Sequence, residues 1–349
     1  MTVSETQFEH EPEQEIILEV ENVSVEFDME RGTSRVLDTV SLDVRRGETI
    51  GVVGESGSGK SMFASAMLDA VVDPGILSGD LTYYPNEGEP VDVLNLSDEE
   101  LRRLRWEEIS LVFQGAMSSF NPVIKVEDHF VETLEDHGYD VDEGLERAHQ
   151  LLADLYLDPN RVLDSYPHEL SGGMKQRALI ALGLLLEPNV LVMDEPTAAL
   201  DLLMQRSIIS LLEDIKEKYD LTLVFITHDL PLVGELCDRL AVMYSFQFVE
   251  SGPTAEIIDH AKHPYTRALL NATPNMQMPL ETMRPIEGAS PDPVNVPPGC
   301  SYHPRCELAD DLCEAQDPAR ELIGDDHDVA CHHWEESADA IPFDRGESR

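Results

Sequence analysis

Positive charge is scarce in this chain. Over 349 residues, 24 Lys and Arg face 69 Asp and Glu, a formal net charge of −45, and only six of the basic residues are Lys. A phosphate backbone would be repelled at nearly every approach, so nucleic acid is not expected as a partner. Long apolar runs are missing too. No stretch of about 18 apolar residues occurs, so the sequence offers no candidate membrane-spanning helix. The first residues, MTVSETQFEHEPEQE, lack the basic start and apolar middle of a secretory signal, and a cytosolic location is expected. Cysteine is sparse: Cys237 stands alone, and Cys300, Cys306, Cys313 and Cys331 fall within the last fifty residues. In a reducing compartment such a cluster points to metal rather than to disulfides. Hydrophobic residues still make up 42%, too many for a disordered acidic polymer. Surplus carboxylate with little Lys fits a high-salt cytosol, where dense ions screen the self-repulsion.

The length allows about two domains. Residues 1–15 read as a solvated acidic tail, and 336–349 as a second tail. From Ile16 to Val44 the apolar, β-branched pattern predicts antiparallel strands around a turn at Glu30-Arg31-Gly32. A buried strand, Thr49 to Val53, runs into a Gly/Ser-rich loop and a helical stretch from Ser61 to Val72. Residues 78–113 hold a strand pair around a helix start, where Ser97 and Glu100 have capping-box spacing. About 115–183 is mostly helical, with Pro159 and Pro167 as breaks. Strands at Val190–Met193 and Thr222–Thr227 flank a helix over 203–218. This alternation predicts an α/β fold with a parallel sheet covered on both faces. Beyond about 262, frequent prolines and the cysteines predict a separate, loop-rich appendage.

Gly54-Glu55-Ser56-Gly57-Ser58-Gly59-Lys60-Ser61 fits the phosphate-binding P-loop in full. Small residues let backbone N–H groups curl around a phosphate, Lys60 reaches the β- and γ-phosphates, and the Ser61 hydroxyl holds Mg²⁺. A second requirement is an acid at the end of a neighbouring apolar strand, which Asn189-Val190-Leu191-Val192-Met193-Asp194-Glu195 supplies. Asp194 is the candidate Mg²⁺ ligand, and Glu195 the general base for the attacking water.

At Leu170-Ser171-Gly172-Gly173-Met174-Lys175-Gln176-Arg177 the chain resembles the signature motif of ABC-type ATPases. Other motifs of that family stand in the expected order. Gln114 matches the Q-loop glutamine, Glu195-Pro196-Thr197-Ala198-Ala199-Leu200-Asp201 the acid and D-loop, and Thr227-His228-Asp229 the switch histidine. Phe27 matches the aromatic that stacks on adenine. The resemblance implies ATP and Mg²⁺ (through Ser61, Gln114 and Asp194), with Glu195, His228 and Lys60 as catalytic residues. It also implies head-to-tail pairing, each ATP lying between one P-loop and the partner's Ser171, Gly172, Gly173 and Gln176, with Asp201 in the D-loop. The implied fold is a P-loop NTPase core (16–262) with a mixed sheet, a helical insertion and a Cys-containing C-terminal region (263–335).

Within that family the chain resembles the ATP-binding subunits of oligopeptide/dipeptide importers. Met117-Ser118-Ser119-Phe120-Asn121-Pro122, His263-Pro264-Tyr265-Thr266-Arg267-Ala268-Leu269-Leu270 and Pro298-Gly299-Cys300-Ser301-Tyr302-His303-Pro304-Arg305-Cys306 carry this closer likeness. It implies a peripheral protein on the cytoplasmic face of the membrane, driving peptide uptake. The implied partners are a second ABC ATPase subunit, related or identical, two permease subunits and, indirectly, an extracellular solute-binding protein. The same tail type serves nickel and sugar importers. A soluble ABC ATPase of DNA repair or translation is the competing class, disfavoured by a single core, no heptad run and strong negative charge. Two positions depart from the group: Gly115-Ala116 replaces Asp-Pro, and Phe246 replaces the glycine of a hairpin turn. The four clustered cysteines lack C-x₂-C spacing, which lowers zinc and leaves a [4Fe–4S] cluster, zinc or free thiols open, with His303, His327, His332 and His333 nearby.

Overall fold

The computed structural model describes residues 15–113, 115, 119–198, 200–273 and 285–342; Gln114, Met117, Ser118 and Ala199 lie outside them. The apolar N-terminal pattern forms a hairpin, β1 (Ile16–Met29) against β2 (Gly32–Arg45), with Met29 opposite Gly32. β4 (Ile76–Tyr83) pairs on the other side of β1, and β5 (Val91–Asp92) extends it, giving a four-stranded antiparallel sheet ordered β2-β1-β4-β5.

The second sheet has eight strands. It adds β3 (Thr49–Val53), β6 (Ile109–Val112), β7 (Val190–Asp194), β8 (Thr222–Thr227), β9 (Arg239–Tyr244), β10 (Gln247–Pro253), β11 (Glu321–Gly324) and β12 (His327–Val329), in the order β11-β12-β10-β9-β3-β8-β7-β6. Every residue of β3, β7, β8 and β9 is buried. That requires cover on both faces, the usual setting of parallel pairing, and β6, β7, β8, β3 and β9 are parallel throughout. Because successive side chains point to opposite faces, these strands divide their residues between two cores. Val190, Val192, Val224 and Ile226 pack with Val20, Val23, Leu42 and Phe63 under the N-terminal sheet. Leu191, Met193, Leu223 and Phe225 pack with Phe130, Leu134, Leu151 and Leu152 of the helical region.

That region contains helices Val126–His137, Val141–Asp154, Pro159–Asp164 and Gly172–Gly183. Its expected breaks are helix starts: Pro159 takes the first helical position after the Asp158 cap, where the missing N–H costs nothing. The capping box at Ser97 and Glu100 is present in both directions. The hairpin turn between β9 and β10 is a two-residue loop, Ser245 at φ 46° and Phe246 at φ 72°. Both residues are left-handed, as a type I′ turn demands, although Phe stands where Gly is favoured. Tertiary contacts hold it there. Phe246 is 4% exposed, its N–H donates to the Ser58 carbonyl at 2.9 Å, and its carbonyl accepts from Asp38 N–H at 3.0 Å.

The expectation of a separate C-terminal appendage needs correction. The segment is loop-rich, but β12 pairs antiparallel with β10 and β11 with β12, so it continues the core sheet. A buried arginine fixes this join. Arg239 Nη1 lies 3.1 and 3.2 Å from the two oxygens of Glu48, which is 1% exposed. Asp326, between β11 and β12, lies 3.1 Å from Arg239 Nε and also accepts from Arg45 Nη1 at 2.6 Å. Burial raises the pKa of Glu48, opposed first by Arg239. Removing one partner of a buried pair leaves an uncompensated charge, so Arg239→Met should lower the unfolding free energy by about 3 kcal/mol. Adding Glu48→Gln should recover most of the loss in denaturant titrations. Equal stability of Arg239→Met and the wild type would contradict this assignment.

Candidate nucleotide site

Sheet register brings the predicted residues together. β8 lies between β3 and β7, with Val53 opposite Thr227 and Asp194 opposite Ile226. The loop Gly54–Ser61, the pair Asp194-Glu195 and the pair Thr227-His228 therefore leave the carboxyl ends of three adjacent strands on one edge, where open α/β sheets bind ligands. The loop demands glycine at two places. Gly54 (φ 155°) would place a Cβ 2.2 Å from the Met243 carbonyl, and Gly59 (φ 111°) one 2.8 Å from the Val36 carbonyl.

Lys60 is 5% exposed, and its Nζ donates to the carbonyls of Gly54 at 2.9 Å and Glu55 at 2.8 Å. Burial pulls its pKa down, against the fields of Glu195, Asp194 and Glu55. Asp194 is 5% exposed, and burial raises its pKa while a hydrogen bond from Ser61 lowers it. Its Oδ1 is buried without a hydrogen-bond partner. An orphaned carboxylate oxygen beside a hydroxyl is a donor set that fits Mg²⁺. Glu195 sits at φ 48° and donates its N–H to the Ile226 carbonyl at 2.8 Å. Its Oε1 lies 2.9 Å from Nδ1 of His228, with side-chain exposures of 14% and 62%. An ionised carboxylate only accepts, so Nδ1 carries the proton and the imidazole holds the glutamate from the solvent side.

The signature segment stands on a different element. Ser171 caps helix Gly172–Gly183, its Oγ accepting from Met174 N–H at 3.3 Å. A Cβ on Gly173 would meet Met204 Cε at 2.1 Å, so this helix start packs directly on helix Leu202–Tyr219. Asp201 caps that second helix, accepting from Leu203 and Met204 N–H at 3.1 and 3.0 Å. Signature and D-loop are thus neighbours. Gln176 is 4% exposed, its Nε2 without a partner, and so faces the interior. Phe27 is half-buried on β1, its ring so close to Gly75 that a Cβ there would lie 2.7 Å from Cζ. Gln114 lies outside the described residues.

None of the four C-terminal cysteines is in a disulfide, and Cys300 N–H donates to the Cys313 carbonyl at 2.8 Å. Burial raises the pKa of Cys331 to about 12, with further contributions from Cys300, Cys306 and Cys313. Burial likewise raises Cys300 to about 11, helped by Cys313 and Cys306. Backbone N–H groups of Leu308 and His333 donate to the sulfurs of Cys306 and Cys331 at 3.4 and 3.3 Å. Asp310, Cys313 and His333 form an overlapping set whose ligand atoms lie within 4.8 Å of one another. Two contacts on the P-loop escaped the sequence reading: Glu55 N–H donates to the Tyr265 hydroxyl at 2.9 Å, and the Glu55 carboxylate pairs with Arg305. Their only sequence signal is that Tyr265 and Arg305 sit inside the motifs of the importer resemblance.

Comparison with known proteins gives the family. The family profile "ABC transporter" matches residues 37–198, and "Oligopeptide/dipeptide transporter, C-terminal region" matches 249–313. A shorter match over 163–234, to an AAA domain described as a putative AbiEii toxin, overlaps the first. A dipeptide transport ATP-binding protein DppD of Caldanaerobacter subterraneus is 43% identical over 324 residues, 92% of this chain and 98% of that protein. The oligopeptide transport ATP-binding protein OppD of Escherichia coli is 37% identical, covering 88% and 90%. Among solved structures, the dimeric bacterial ABC transporter cassette MJ0796 superposes with a TM-score of 0.59 at 25% identity, over 68% of this chain and 99% of that one. The same cassette has been solved in a post-hydrolysis state with ADP and Pi. The fold and the site define an ABC ATPase cassette. The chain belongs to the ABC transporter family, as an ATP-binding subunit of the dipeptide/oligopeptide type.

Proposed function

We propose that this chain hydrolyses ATP to drive uptake of peptides through separate permease subunits. The observation that carries the chemistry is the Glu195–His228 pair at 2.9 Å, beside Lys60 and Asp194. In this reading Lys60 leaves the carbonyls of Gly54 and Glu55 to meet the β- and γ-phosphates. Ser61 and Asp194, with Gln114, hold Mg²⁺, which neutralises charge on those phosphates. Glu195 accepts a proton from the attacking water, and His228 keeps its carboxylate aimed. Phe27 stacks on adenine. Ser171, Gly172, Gly173 and, through the helix it helps to pack, Gln176 serve the nucleotide of a facing subunit, with Asp201 across the same interface.

The peptide substrate is inferred from the dipeptide and oligopeptide relatives and from the matching C-terminal region. No helix among the described residues is long and apolar enough to cross a membrane. The proposed assembly therefore has this chain on the cytoplasmic face, with a second, related ATPase, two permeases and an external solute-binding protein. Cys300, Cys306, Cys313 and Cys331 would hold a [4Fe–4S] cluster that staples the C-terminal loops; anaerobic protein without iron or broad blue absorbance would refute this. The acidic surface is read as an adaptation to high salt.

Replacing Glu195 with Gln keeps the shape of the site and removes the base. ATP should remain bound while turnover falls about 100-fold or more. Turnover close to that of the wild type would refute the assignment.

A further inference from the structure

A carboxylate in a phosphate-binding loop is electrostatically misplaced, and Glu55 is the only acidic residue of Gly54–Ser61. Its fate in the fold explains how it is tolerated. Arg305, 250 positions away, donates Nη1 to Glu55 Oε2 at 2.8 Å and Nη2 to Oε1 at 3.1 Å, a bidentate pair. The arginine side chain is 6% exposed and the glutamate 24%. Four further contacts fix the guanidinium. Nε donates to the Glu287 carbonyl at 2.7 Å, Nη1 also reaches the Tyr244 hydroxyl at 3.4 Å, and the group lies over the rings of Tyr244 and Tyr302 at 5.7 and 6.0 Å. The Tyr265 hydroxyl takes the backbone N–H of the same Glu55. Ser290 Oγ approaches Glu55 Oε2 at 3.4 Å. The C-terminal region thus grips one residue of the loop by both its side chain and its backbone.

We propose that Arg305 is a positioning residue for nucleotide binding, acting through Glu55: it neutralises that carboxylate and keeps it off Lys60. Lys60 already lies within the field of Glu55 and donates to its carbonyl. Without Arg305 the Glu55 carboxylate is free to pair with the ammonium that the phosphates need, and it also repels them. This is a contact effect, so salt screens it little. The inference rests on the loop binding ATP, and the controls separate the two claims.

The test is equilibrium binding of the fluorescent analogue MANT-ATP with Mg²⁺ to the full-length chain, at a salt concentration where the wild type is folded. Arg305→Met should weaken binding about tenfold, the scale of one lost charge-assisted contact. Adding Glu55→Gln should restore it to within about threefold of the wild type, which a purely structural role for Arg305 would not allow. Unchanged affinity in Arg305→Met, or a double variant as weak as Arg305→Met, overturns the proposal. If Arg305→Met does not fold, Glu55→Gln alone decides: equal or tighter binding supports the proposal, and binding weakened more than threefold overturns it. Wild-type protein that does not bind MANT-ATP, with Lys60→Ala no different, would instead remove the ATP reading on which the proposal stands.

Discussion

Burying the Lys60 ammonium costs solvation that only nearby oxygens can return. Here they are the carbonyls of Gly54 and Glu55, within the fields of Asp194 and Glu195. That arrangement exists because β3, β7 and β8 are buried on both faces and end in register, so three loops with little in common along the chain meet at one edge. The loop is held from behind by backbone alone at two points: Gly54 against Met243 and Gly59 against Val36, where any side chain would collide. In the proposed function a phosphate chain would replace the loop's own carbonyls as the partner of Lys60, and the site would respond to nucleotide through that exchange.

The signature segment and the D-loop form a second unit. Gly173 admits Met204 because it has no side chain, and this sets the two capped helix starts, Ser171 and Asp201, side by side. They belong to elements other than helix Lys60–Ala66, whose first residue is Lys60. In the proposed function a triphosphate spanning both units is shared between two subunits; a cassette 25% identical to this chain has been solved as a dimer. The C-terminal region adds a third contribution. It extends the core sheet through β12 and reaches the P-loop at Glu55, so it belongs to the ATPase core mechanically.

Much of this was legible in the sequence. β8 runs over Thr222–Thr227, as its apolar run indicates, and the helix expected over 203–218 is Leu202–Tyr219. Local signals sufficed there: period, caps and β-branched content. The P-loop, Asp194 and Glu195 were identifiable because each stands at the end of a buried strand, whereas His228 was identifiable only through the family resemblance. Long-range pairing was not legible. β11 and β12 have four and three residues, too few to show alternation, and the residues between them are acidic. The Glu55–Arg305 pair joins residues 250 positions apart, and no local pattern records it. The type I′ turn at Ser245-Phe246 runs against residue preference, and only its hydrogen bonds to Ser58 and Asp38 account for it.

The central claim is that one ATP is held by the Lys60 loop of one subunit and the Ser171 helix start of another. The most direct measurement is sedimentation of the Glu195→Gln chain, alone and mixed with the second ATPase proposed above, with and without ATP, beside the same chain carrying Ser171→Arg. The account predicts ATP-dependent dimers that Ser171→Arg abolishes while each monomer still binds nucleotide at the Lys60 loop. Monomers that enclose ATP fully, or dimers indifferent to Ser171→Arg, would contradict it.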